Sequence, residues 1–215
     1  MANKLEIYNA ALNECGKRRL TSLAENGESR RVLDEHYSNV VYDCLQEGSW
    51  NFAMETVKLV ADTGVTPNFG DFTEIFAKPS DWSHTVEVST DESFTNILTQ
   101  YDDDENYWAA STSPIYVRYV SNDTGMGFDL DRWPRKFTRY VELELASRSC
   151  YRLTQSASRE EKVEKRRDKA RTSAKNTDAM NEKQPKFKPP GGWTTARRGR
   201  QHGHERGLTS QFTGG

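Results

Sequence analysis

The sequence predicts an α+β fold: an antiparallel helical bundle with an inserted small antiparallel β-sheet module, a long C-terminal helix and an extended tail. Three observations predict it. Apolar residues recur at helical spacing in residues 5–45 and again after Pro134. Between Trp50 and Gly127 the period changes to short runs of β-branched and aromatic residues separated by Gly, Pro, Asn and Asp. Beyond Arg159 apolar residues thin out and cations accumulate.

The elements follow in order. In "KLEIYNAALNEC", Leu5, Tyr8 and Leu12 share a face, Ile7 and Ala11 flank it, and Gly16 follows as a stop. The connector "KRRLTSLAENGES" carries Leu20 and Leu23, expected to pin the loop onto the bundle. A second helix is predicted from about Ser29 to Gln46, with Val32, Leu33, His36, Tyr37, Val40, Val41, Cys44 and Leu45 as its stripe and Gly48 as a left-handed stop. "TVKLVA", "FTEIFA", "HTVEVST", "TNILTQ", "YWAAS" and "IYVRYVS" read as strands of one small sheet. Pro134 suits the first turn of a third helix, lined by Phe137, Val141 and Leu145. "SREE" at Ser158–Glu161 has the form of a capping box that re-aims the chain. The helix that follows has a sparse apolar face of Val163, Ala170, Ala174 and Met180. So little apolar surface predicts a helix that projects into solvent or lies against another subunit. These elements divide the chain into a bundle core (1–49 and 132–157), a β module (50–131), a polar helix (158–184) and a tail (185–215).

Composition bounds the function. Hydrophobic residues are 34% and charged residues 29% of 215, more polar than an ordinary globular domain. A modest core is expected, with extended parts that find their surface elsewhere. No run approaches the roughly 18 apolar residues of a membrane span, and the N-terminus has no signal-peptide core. No membrane association and a cytosol-like compartment of synthesis are therefore expected. Cys15, Cys44 and Cys150 are odd in number and widely spaced, which fits buried thiols better than disulfides or a zinc site. The net charge of −2 hides polarity along the chain. From Glu55 to Asp131 there are 15 acidic and 3 basic residues, and beyond Arg159 the balance reverses. Different partners for the two regions are one reading; a solvated acidic loop and a solvated basic helix are the plainer one.

Motifs for chemistry are missing from the sequence. His36 reads as a satisfied core histidine, and His202 and His204 stand in a Gly-rich tail without further ligands at metal spacing. "YDDDENY" lacks the glycine and final glutamate of a calcium loop and reads as a hairpin tip. No Walker, nucleophile-elbow, zincin or dinucleotide fingerprint is present. No catalytic residue, cofactor or metal ligand is assigned, and a non-enzymatic role is expected. The basic C-terminal helix and tail leave open a nucleic-acid-binding protein that contacts phosphates without reading sequence. A cell-wall-degrading tail component is a third, weaker reading.

Several stretches together resemble one family. "ALNECGKRRLTSLAENGESRRVLDEHYSNVVYDCLQEGSWNFAM" is similar to the opening of tailed-bacteriophage head-to-tail adaptors, the tail tubular protein A and gateway group. The matching positions are Gly16, Leu20 and Leu23 in the connector, and Trp50 with Phe52 closing the long helix. "DFTEIFAKPSDWSHTVEV" resembles the family's strand motif through Phe76, Pro79 and Asp81, with Lys78 where an apolar residue is usual. "IYVRYVSNDTG" and "WPRKFTRYVELELASRSCYRLTQS", which begins at Trp133, resemble the last strand and last core helix. The resemblance covers roughly residues 5–156.

It implies a structural virion protein at the head–tail interface, made in the host cytoplasm. Such proteins form a ring, twelve copies below a twelve-fold portal. The ring extends the DNA channel without sequence-specific DNA contact and offers a platform for the tail tube or nozzle. On this reading the tail binds the portal through Phe187, Pro189, Pro190, Trp193, Arg197, Arg198, Arg200 and Phe212. Aromatic and Arg side chains are the usual anchors of such contacts, and a tail that orders on binding, repeated around a ring, gains avidity.

Overall fold

Among the described residues, four α-helices and two three-stranded antiparallel sheets make an α+β fold. The computed structural model describes residues 3–62, 64 and 72–181. The chain divides into two units, Met1–Asn181 and Glu182–Gly215; the second lies outside the described residues.

Helix α1, Lys4–Glu14, starts at a capping box of Asn3 and Glu6. It ends where Gly16 turns left-handed (φ 65°) and the Lys17 N–H returns to the Leu12 carbonyl at 2.9 Å. The following loop is pinned by Leu20 alone. Its side chain is buried, and its backbone exchanges two hydrogen bonds with the buried Asn9 amide, at 2.7 and 3.1 Å. Leu23 stays at the surface, contrary to expectation. Helix α2, Glu28–Gln46, buries the expected stripe except His36, which is only half-buried at its margin. Gly48 is not left-handed. A Cβ there would meet the Trp50 indole at 3.1 Å, so its smallness serves packing.

The β module forms two sheets where the sequence suggests one. The first has the order β1 (Met54–Leu59), β6 (Ile115–Ser121), β3 (Trp82–Ser89). The second has the order β2 (Glu74–Ala77), β5 (Tyr107–Ala110), β4 (Asp102–Asp103). "TNILTQ" supplies a single bridge, Ile97 to Ser89, and no strand. The period-2 pattern of β6 explains the layering. Ile115 and Val117 join Phe76, Val88, Trp108 and Ala110 between the sheets, while Val120 and the neighbouring Val86 reach the bundle core.

Helix α3, Arg135–Thr154, begins after Pro134, which occupies the N-cap and not the first turn. It packs against α1, α2 and α4 and is therefore buried on several sides, Glu144, Ser147 and Ser149 included. Gln155 is left-handed (φ 52°) and breaks the helix. Ser156, not Ser158, then caps α4 (Ala157–Asn181): its carbonyl accepts from the Arg159 and Glu160 N–H groups at 3.2 Å.

The tight turn folds α4 back along α3, so it does not project into solvent. Val163 and Ala174 are buried, and charges do the rest. Arg166 pairs with Glu14, Arg167 with Glu144, and Arg171 and Lys175 with Glu47. Near the far end the Asn51 amide groups bond the Asp178 carboxylate and carbonyl at 2.9–3.2 Å.

Phe137 sits where these parts meet. Trp50, Phe52 and Trp133 lie 4.8, 4.7 and 5.1 Å from its ring, centroid to centroid. Phe137→Ala should lower unfolding free energy in urea by about 3–5 kcal/mol, and Phe137→Leu by about 1–2. A loss under about 1 kcal/mol for the alanine variant would show that the ring is not central.

Candidate functional site

The resemblance residues fall at the joints of the structure. Gly16 turns the chain out of α1, and a Cβ at that position would lie 2.1 Å from Arg159 Nη1. The Trp50 indole N–H donates to the Cys44 carbonyl at 2.8 Å, and the Trp133 indole N–H to the Gly127 carbonyl at 2.8 Å. Phe52 lies beside both Trp50 and Phe137. The Pro79 carbonyl accepts the Trp82 N–H at 3.1 Å, closing the turn into β3. Asp81 then ties that turn to the end of β6: its carboxylate accepts from the Ser121 and Tyr119 hydroxyls, and its carbonyl from the Asn122 N–H at 2.8 Å. Burial and the Asp81 charge together push the Tyr119 phenol up, so it stays a donor. Leu23 belongs to no joint. The tail residues Phe187, Pro189, Pro190, Trp193, Arg197, Arg198, Arg200 and Phe212 lie outside the described residues.

The three cations of the β module each lie against an aromatic ring, while Asp102, Asp103, Asp104 and Glu105 are exposed. Lys58 lies over the Tyr116 ring at 5.7 Å. Arg118 pairs with Glu87 at 3.1 Å and stacks on Phe94 at 4.1 Å. Lys78 is the most enclosed, its side chain only 4% exposed. Its ammonium lies 3.4 Å from the Trp82 ring centroid and 5.2 Å from that of Trp108, and it pairs with Asp103. Lys78 is thus the pin that holds the acidic hairpin β4–β5. Sequence reasoning registered Lys78 without its partner, because Asp103 is 25 residues away. On the neighbouring loop, Asp91 accepts from the Ser89 and Ser93 hydroxyls and from the Thr95 and Asn96 N–H groups, which holds its carboxyl far below the usual range.

The face between α4 and the start of the bundle is cationic and partly neutralised. Glu14, 8% exposed, is shared by Arg139 and Arg166. Burial alone would raise its carboxyl, but the two guanidinium hydrogen bonds outweigh burial and hold it below 4.5. Beyond the joint, Trp50, Pro134, Phe137, Ala174, Thr177 and Asp178 line a small cleft beside the end of α4.

Among the described residues, no group of three or more His, Cys, Asp or Glu is placed to hold a metal ion, and no helix is long and apolar enough to cross a membrane. Cys15, Cys44 and Cys150 are free and buried. Burial beside Cys150 pushes the Cys15 thiol up to about 12, far from a reactive thiolate. Burial lowers the pKa of His84 and keeps the ring neutral, with Nδ1 enclosed and without a hydrogen-bond partner. His202 and His204 lie outside the described residues.

Comparison of the chain with protein-family models and with curated proteins finds no match to either.

Glu14 gives a pH test with a defined sign. Its folded-state pKa is depressed, so its contribution is fully present above 4.5 and is lost as pH falls through the folded value. Glu14→Gln should cost about 1–2 kcal/mol at pH 7. In denaturation curves from pH 7 to 3 the gap to the native chain should close below about 4.5. A gap that persists at pH 3 would assign the loss to packing instead.

Proposed function

We propose that this chain is a structural head-to-tail adaptor of a tailed virus particle. It would form a ring beneath the portal, continue the DNA channel and present an attachment platform for the tail tube or nozzle. One observation carries the reading. The residues that resemble the adaptor family are spread over roughly residues 5–156, and Gly16, Leu20, Trp50, Phe52, Asp81 and Trp133 coincide with the joints that hold bundle, module and last helices together. A resemblance confined to a repetitive or surface segment would have no such correspondence.

The charge distribution supports an architectural role. The exposed carboxylates of the module would repel phosphate and keep passing DNA free to slide. The nucleic-acid reading draws less support from α4 than its composition suggests, since Arg166, Arg167, Arg171 and Lys175 are paired with bundle carboxylates. In the proposed assembly, portal contact is the task of the tail, with Trp193, Arg197 and Arg198 as anchors.

The purified chain, mixed with the portal ring of the same virus and imaged by electron microscopy, should appear as a collar on the portal. Deleting residues 184–215 should remove the collar and leave the thermal unfolding of the rest unchanged. Failure of the full chain to bind the portal would overturn the adaptor reading. Equal binding by the truncated chain would overturn the role of the tail.

A further inference from the structure

A cleft of about 280 Å³ lies between the end of α1 and the first turns of α4, lined by Glu14, Gly16, Arg159, Lys162, Val163 and Arg166. It exists because the chain turns at a residue without a side chain; a Cβ at Gly16 would collide with the Arg159 guanidinium. The volume is near the lower end of the range for small-ligand pockets, about 300 Å³, and suits a small group.

The lining carries three cations and one carboxylate, a surplus of two positive charges. The carboxylate is committed to Arg166 and to Arg139, a fourth cation from α3, so Arg159 and Lys162 carry the surplus. Arg159 uses Nη1 to bond the Cys15 carbonyl at 2.6 Å, and a guanidinium carries five donors. Lys162 is exposed, and its acidic neighbour Glu161 is held by Lys165 at 2.6 Å. Lys17, also exposed, continues directly from Gly16. The backbone N–H groups of Gly16 and Lys17 are already bonded to the Asn13 and Leu12 carbonyls. Any ligand is therefore held by side chains and not by a backbone nest.

We propose that this cleft binds a phosphate group through Arg159 and Lys162. Three features select phosphate. A phosphate with a free end carries about −1.5 to −2 charges at pH 7, matching the surplus of two. Its several oxygens accept from a guanidinium fork and a point-like ammonium at once. Glu14 is held by Arg139 and Arg166, so it leaves Arg159 and Lys162 available to an anion. The group can come from free inorganic phosphate or from consecutive phosphates of a nucleic-acid backbone. The inference is independent of ring assembly and of the tail.

The test is a ¹H–¹⁵N titration of the full chain with inorganic phosphate, with a 12-base-pair duplex, and with sodium chloride at matched ionic strength. Phosphate should move the amides of Gly16, Lys17, Lys162 and Val163 saturably. Lys162→Gln, a change at an exposed position, should weaken that binding about tenfold with the rest of the spectrum unchanged. If the duplex moves the same four amides, the source is a nucleic-acid backbone; if only phosphate does, it is the free anion. No saturable shift with either ligand, shifts reproduced by sodium chloride, or equal affinity in Lys162→Gln would each overturn the proposal.

Discussion

The structure depends on the contacts made by one aromatic ring, Phe137. The chain passes between the bundle and the β module twice, leaving α2 through Trp50–Phe52 and re-entering at Trp133. Both passages rest on that ring. The indoles cannot turn freely, because each N–H is held by a carbonyl of the element it leaves. The module's other ties to the bundle are Val86, Val120, Phe128 and Leu130, with the Phe128 ring 4.8 Å from that of Tyr42. A β module inserted in a bundle swings on its two connecting strands unless they are clamped together, and here a single side chain from α3 clamps them. Ala174 of α4 closes the cleft beside the same ring.

The second constraint is electrostatic. A helix as polar as α4 has little apolar area to bury, so it is held by paired charges. Exposed pairs are individually worth little. Two carboxylates are different, since the side chains of Glu14 and Glu144 are 8% and 11% exposed. Left unpaired, each would be a buried charge, and removing a partner of such a group is costly. The same arrangement engages Arg166, Arg167, Arg171 and Lys175 and leaves Arg159 and Lys162 outside these pairs, against the end of α1. Helix packing and the cationic cleft are thus two results of one charge pattern.

This explains what was legible in the sequence. Helices α1 and α2 and strand β6 write their faces in apolar residues, and periodicity finds them. The packed face of α4 has equally regular spacing (Arg159, Val163, Arg166, Ala170, Ala174, Asp178), but half of it is charged, and hydropathy counts such a face as solvent. Strand β4 is two aspartates, too short and too polar to register, so the second sheet was not visible. The αα turn was displaced by two residues because Ser156 and Ser158 offer the same capping chemistry, and only the left-handed Gln155 decides between them. Leu20 and Leu23 look alike in sequence; the amide of Asn9 fixes one and leaves the other exposed. The cleft joins residues 14–16 to residues 159–166, a juxtaposition that no local motif encodes.

A clamp of this kind makes module and bundle one cooperative unit. Native-state hydrogen exchange of the full chain tests it most directly. The slowest amides of β6 (Ile115–Ser121) and of α2 should open with the same free energy and the same denaturant dependence. In Phe137→Ala the two sets should separate, with β6 exchanging first. Independent exchange of β6 and α2 in the native chain, or unaltered coupling in the variant, would contradict the account.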